Sequence, residues 1–184
     1  MEVIKTKLKG CVIIQPKVFG DERGFFLESY NYERYKKMAG IKENFVQDNR
    51  SRSTKSVLRG LHFQKNKPQG KLVTVTSGEV FDVAVDLRVS SPTFGQHESI
   101  ILNEENHTQF YIPPGFAHGF VVLSETADFQ YKCTKYYDPL DESGIIWNDN
   151  DLKIDWPVGS PILSNKDLMQ LTLKEYREGL KVKL

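Results

Sequence analysis

Polar and apolar positions alternate through the middle of the chain. From Glu79 to Leu87, Phe81, Val83, Val85 and Leu87 fall on one side, and Asp82, Ala84 and Asp86 on the other. A period of two marks a β-strand with unlike faces. Lys71 to Thr76 is β-branched and stops at Ser77-Gly78, a turn pair. His97 to Leu102, Gln109 to Ile112, Phe116 to Leu123 and Phe129 to Thr134 continue the series. Pro113-Pro114-Gly115 predicts a tight corner, because proline cannot donate to a central ladder. Short strands at regular spacing predict an all-β sandwich or barrel. The pattern does not choose a jelly roll over another barrel. Helical signals are few. Asn31 caps a short helix that Gly40 closes. Ser164-Asn165-Lys166-Asp167 reads as an N-cap before a helical run through Leu168, Leu171 and Tyr176. The tail Leu180-Lys181-Val182-Lys183-Leu184 is expected to be solvated or loosely packed.

No repeat or linker divides the chain, so residues 1–184 are read as one domain. A net charge of +1 gives no broad electrostatic footprint for nucleic acid or an anionic membrane. No apolar run approaches the ~20 residues that span a bilayer, and the first residues lack the apolar core of a signal peptide. Cys11 and Cys133 make neither a disulfide framework nor a metal spacing. These features predict a cytoplasmic protein with two free thiols.

The segment Val57-Leu58-Arg59-Gly60-Leu61-His62-Phe63-Gln64 changes the picture. It sets a guanidinium and an imidazole in a strand otherwise apolar enough to be buried. Arginine offers a fixed fork of donors for phosphate oxygens. Histidine takes up a proton near neutral pH. Strand alternation puts Arg59 and His62 on opposite faces, so they share a cavity only if Gly60 marks a bulge or the arginine lies at a rim. Other residues carry two readings each. Lys71 is a functional amine or a solvated edge lysine. Tyr131, on the face of Phe129 and Cys133, is core with its hydroxyl paired, or an acid. Asp167 is a first-turn carboxylate or a partner for chemistry. Arg23 sits in a glycine-bounded turn entering an aromatic strand, and Gln47-Asp48-Asn49 is a polar cluster that loop capping explains equally well. His62, His97, His107 and His118 include no His-x-His pair, so a metal is not signalled.

Six ordered motifs give the chain a resemblance. They are Asp21-Glu22-Arg23-Gly24-Phe25-Phe26, Gln47-Asp48-Asn49-Arg50-Ser51, Leu58 to Gln64, Gln69-Gly70-Lys71-Leu72-Val73, Val83 to Arg88 with Ser91-Pro92-Thr93-Phe94-Gly95, and Ile112 to Phe120. From about Pro16 to Asp167 the chain resembles the dTDP-4-dehydrorhamnose 3,5-epimerases. The resemblance implies a cupin-type double-stranded β-helix, a jelly roll with a few short peripheral helices. It implies a homodimer with exchanged strands, and neither metal nor organic cofactor.

The resemblance also implies the chemistry. A C4 ketone acidifies the protons at C3 and C5 of a dTDP-deoxysugar. Inversion needs a base on one face of the ring, an acid on the other and a donor for the enolate. By resemblance His62 is the base, polarised by Asp167; Tyr131 is the acid; Lys71 stabilises the oxyanion. Arg23 and Arg59 resemble diphosphate-binding arginines. Glu28, Gln47, Asp48 and Asn49 resemble positions at the nucleoside end, and His118, Glu142 and Lys166 match further ligand-lining positions. Phe19, Phe26 and Tyr137 pack on thymine or sugar, or simply in the core. The expected reaction converts dTDP-4-dehydro-6-deoxy-D-glucose to dTDP-4-dehydro-L-rhamnose. The rival readings are a single-site 3- or 5-epimerase, a nucleotide-sugar-binding cupin without activity, and a metal-dependent cupin oxygenase.

Overall fold

The computed structural model describes residues 1–181; the remainder of the tail expected to be solvated, Val182 to Leu184, lies outside the described residues. In chain order the strands are β1 (Glu2–Lys5), β2 (Val12–Gln15), β3 (Val18–Asp21), β4 (Gly24–Leu27), β5 (Gln47–Thr54), β6 (Leu58–Gln64) and β7 (Lys71–Ser77). They continue with β8 (Glu79–Asp86), β9 (His97–Asn103), β10 (Gln109–Ile112), β11 (Phe116–Val122), β12 (Thr126–Cys133) and β13 (Glu142–Gly144). The helices are α1 (Tyr32–Ala39), α2 (Asn165–Leu168) and α3 (Leu173–Lys181).

Two antiparallel sheets face each other. One is six-stranded in the order β1-β2-β10-β7-β12-β5, the other five-stranded in the order β13-β6-β11-β8-β9. Val73, Val75, Phe110 and Phe129 of the first sheet meet Val80, Ala84, Phe120 and Val122 of the second in a buried core. β3 and β4 form a separate hairpin.

The alternation of β8 has a different cause from the one its sequence suggests. The Asp82 and Ala84 side faces the opposite sheet, and Asp82 and Asp86 are fully buried. Val83 and Val85 point outward, where Ile145, Leu152, Trp156 and Leu173 cover them. Both faces are therefore dry, and the C-terminal quarter exists largely to close the outer one. On the far side of the six-stranded sheet, Tyr35 of α1 and Ile41 pack over Val12, Ile14, Leu72 and Tyr111. The helix starts as predicted, with the Asn31 side chain accepting from the Arg34 N–H, and Gly40 ends it in the left-handed region at φ +73°.

Two expectations need correction. The helical run after Ser164 is two helices, because Leu171 leaves the helix to bridge Ile145 and accept from the Ile146 N–H. Leu180 and Lys181, the first residues of the tail, close α3. Gln47 to Asn49 open an eight-residue strand, not a loop. That strand is polar throughout because one face meets solvent and the other lines the site.

Candidate active site

β6 delivers the first two groups. His62 stands opposite His118, and Arg59 opposite Phe120, with the register shifting between them. Gly60 and Leu61 thus oppose Gly119 alone, a bulge, the first of the two arrangements that strand parity allows. Gly60 sits at φ +134°, and the Gly60–Leu61 peptide is cis. A Cβ on Gly60 would lie 2.5 Å from the Gly119 Cα, so glycine is required on steric grounds as well. The extra residue turns Arg59 and His62 to the same side, the inner one that Phe120 and His118 share.

Asp167 meets His62 from α2. Its Oδ1 is 2.5 Å from His62 Nε2, and its Oδ2 accepts from Ser164 Oγ at 2.7 Å. Ser164 also accepts from the Asp167 N–H at 3.2 Å, so the N-cap fixes both the backbone and the carboxylate. Burial opposes ionisation of Asp167, but the bonds from His62 and Ser164 outweigh it and hold the carboxyl below its usual range. Asp167 is 4 % exposed, which confines it to the imidazole it serves.

Lys71, Tyr131 and Cys133 come from the facing sheet. β7 lies between β10 and β12, so Lys71 is no edge lysine. It pairs with Cys133, two residues along from Tyr131, and its Nζ lies 5.9 Å from the Tyr131 ring centre. Burial pushes the Lys71 ammonium down in pKa, against the pull of Cys133, Asp82 and Glu142. Burial likewise pushes the Tyr131 phenol up, which keeps it protonated at neutral pH. Asn49 faces Tyr131 across the β5–β12 ladder, and Gln47 Nε2 donates to its side chain at 3.0 Å. Asp48 points to the other face, paired with Lys132 Nζ at 3.0 Å; alternation separates it from its two neighbours.

Glu142 and Lys166 form an ion pair at the mouth. Tyr137 Oη donates to Glu142 at 2.5 Å, and this carboxylate pushes the phenol up to about 12. Within the same interior, His118 bonds Asp82 at 2.9 Å and lies along the Phe129 ring. Burial drives His118 toward the neutral form despite Asp82. The sequence marks Ser164 only as a helix cap and gives Asp82 and Gln64 no role of their own, because each acts on a neighbour.

Arg59 reaches across to the facing sheet at the rim and donates from Nε to Ser53 Oγ of β5 at 3.0 Å. Arg23, Phe26 and Glu28 stand elsewhere. Arg23 pairs with Asp21, and its side chain is 84 % exposed. Phe19 and Phe26 are 54 % and 69 % exposed. Glu28 is tied to Arg34 at 3.0 Å beside α1. The hairpin caps a cavity of about 440 Å³ lined by Phe25, Leu72, Thr74, His107 and Gln130. Leu72, Thr74 and Gln130 point away from the inner face, so this cavity is not the one that holds His62. His97 and His107 also lie apart from His62, His107 against the Phe25 ring at 4.5 Å. Among the described residues no cluster of His, Cys, Asp and Glu is set for a metal ion.

These groups set an imidazole on one sheet, with a carboxylate from α2 against it, facing a phenol and an ammonium on the other sheet, in a jelly roll of the cupin type. The profile of the dTDP-4-dehydrorhamnose 3,5-epimerase family matches residues 5–175, and the chain belongs to that family. The dTDP-4-dehydrorhamnose 3,5-epimerase of Salmonella typhimurium is 57 % identical over 169 residues, 91 % of this chain and 92 % of its own. A dTDP-4-dehydrorhamnose 3-epimerase of Streptomyces niveus is 40 % identical over 94 % of this chain and 84 % of its own. The crystal structure of a Legionella pneumophila dTDP-6-deoxy-D-glucose-3,5-epimerase, in complex with dTDP-4-keto-L-rhamnose, superposes with a TM-score of 0.91 at 56 % identity, covering 94 % of this chain and 93 % of that one.

Proposed function

We propose that the protein is an isomerase that inverts C3 and C5 of dTDP-4-dehydro-6-deoxy-D-glucose, yielding dTDP-4-dehydro-L-rhamnose for dTDP-L-rhamnose synthesis. The observation that carries this reading is the His62–Asp167 pair facing Tyr131 and Lys71 across one interior. With Nε2–H given to Asp167, His62 Nδ1 holds the lone pair that removes the proton beside the ketone. The electron pair moves to the C4 oxygen, where the Lys71 ammonium compensates the charge in a dry setting. Tyr131 returns a proton from the opposite face; His62 then gives its proton to solvent and Tyr131 takes one back, which resets both groups for the second carbon. Arg59, at the rim, suits the diphosphate, and Gln47 and Asn49 suit the nucleoside end.

The working unit is a homodimer. Arg23, Phe19 and Phe26 are exposed on a hairpin lying over the outer face of the sheet, where they serve no pocket of their own chain. A second copy receives them, and its unpaired β5 edge offers backbone groups for the exchange. The chain acts as one domain in the cytoplasm, where its two unpaired thiols are kept.

The test is proton exchange followed by NMR. Protein and His62→Ala are incubated with dTDP-4-keto-6-deoxyglucose in D₂O. Deuterium at both C3 and C5, lost in the variant, is the expected result. Label at one carbon only would make the protein a single-site epimerase, as its 3-epimerase relative is named. No label at either, with nucleotide still bound, would leave a binding protein.

A further inference from the structure

Tyr137 is half-exposed and lies in an irregular segment, yet its backbone is held on both sides. Its own N–H donates to Gln47 Oε1 at 2.8 Å. The next amide, Asp138 N–H, donates to Gln64 Oε1 at 2.7 Å. Gln64 Nε2 donates to the Tyr136 carbonyl at 3.4 Å and to the Lys67 carbonyl at 2.9 Å. Gln64 is 4 % exposed and spends its side-chain amide on three backbone groups. It lies two residues from His62 on the same strand face and opposite Glu142, the acceptor of the Tyr137 hydroxyl. Asp141 binds the same two turns together through the Asn66 and Lys67 N–H groups at 2.9 and 2.7 Å. A loop tyrosine left to itself samples many positions; this one stands on a platform hung from the strand that carries the base.

We propose that Gln64 is a positioning residue that fixes Tyr137 as a wall of the sugar-nucleotide site, and so sets how tightly the nucleotide is held. The inference rests on the proposed substrate class. Gln64 does not meet the reacting atoms, so its effect falls on binding and passes through Tyr137.

Two changes separate this from a general structural role. Gln64→Glu keeps the shape and the acceptor for Asp138 N–H but loses both donors, and Gln64→Met loses all three bonds. Each is combined with Tyr137→Ala, and dTDP binding is measured by calorimetry alongside the exchange rate at saturating sugar nucleotide. Each Gln64 variant is expected to weaken dTDP about tenfold, the worth of one to two lost hydrogen bonds. Saturated exchange stays within about twofold of the parent. In the double variants the loss does not exceed that of Tyr137→Ala alone, as coupled residues require. Unchanged dTDP affinity in both Gln64 variants, or losses that multiply in the double variants, would overturn the proposal. A parent that binds dTDP without exchanging C3 or C5 protons removes the epimerase reading and leaves this one standing. A parent that does not bind dTDP removes both.

Discussion

Asp167→Asn isolates the electrostatic part of the His62–Asp167 pair. The amide is nearly isosteric, and its oxygen still accepts from Nε2–H, so the imidazole keeps its orientation. What disappears is the negative charge beside the imidazolium that forms during proton abstraction. With 2.5 Å between Nε2 and Oδ1, the charge centres lie about 4 Å apart, and the attraction is about 4 kcal/mol at an effective dielectric of 20. The His62 side chain is 27 % exposed, and water screens part of that, leaving about 2–3 kcal/mol. The expected loss in saturated exchange rate is therefore about 30- to 150-fold, with KM little changed because Asp167 is buried behind the base. Deuterium wash-in at C3 and C5, followed by NMR at saturating sugar nucleotide, measures it directly. Ser164→Ala gives the comparison. Its hydroxyl also touches Asp167, but Ser164 is an exposed residue, so water replaces the lost donor and the rate falls only about two- to fivefold. An Asp167→Asn rate within about fivefold of the parent would refute the argument, for then the carboxylate serves only to hold the ring.

Other outcomes follow from the same geometry. Tyr131→Phe should retain proton removal on the His62 side, seen as washed-in deuterium, while inverted product falls about 10²-fold or more by sugar NMR. Gly60→Ala should lower the melting temperature and nearly abolish exchange, because its Cβ meets the Gly119 backbone and forces the bulge open; an active, equally stable variant would mean the bulge tolerates a side chain. Asp86 is buried, and although burial itself opposes ionisation, bonds from Arg88, Ser91 and Thr93 hold its pKa down to about 2. A lowered folded pKa contributes stability that is complete above the unfolded value near 4 and is lost as pH falls toward 2. Denaturant melts of Asp86→Asn should therefore be weaker at pH 7 and flatter than the parent between pH 4 and 2.

Much of the fold was legible where strands alternate or punctuate. β7 to β12 could be read because β-branched runs end at glycine or proline, and α1 because Asn31 and Gly40 mark its ends. β5 was hidden, since Gln47 to Thr54 is polar on both faces and only the pocket it lines explains half of them. The alternation of β8 separates its two faces but does not say which one is inner, and it is the Asp82 side that points inward, to a buried histidine. The bulge at Gly60 was legible as a contradiction, two chemical groups on opposite faces with a glycine between. By spacing alone Tyr131, Lys71 and Asp167 read equally as core tyrosine, edge lysine and helix cap; strand order removes the edge reading of Lys71, and the contact with His62 takes Asp167 beyond a cap. Ser164 was legible as a cap but not as a donor to the Asp167 carboxylate, and the part played by Gln64 was not legible at all, because side chains that hold other residues leave no periodic trace.

The hairpin that carries Arg23 and Phe26 has a genetic consequence on the dimer reading. A chain lacking Arg23 still has its own His62, and a chain lacking His62 still has an Arg23 to lend. Mixed after unfolding and refolding, two inactive variants would rebuild one whole site in each hybrid dimer and leave the other doubly broken. Random pairing then returns about a quarter of the parental activity. Two damaging alleles in one cell would behave as mutual suppressors, and the lesion that matters would be the pair of chains rather than either one.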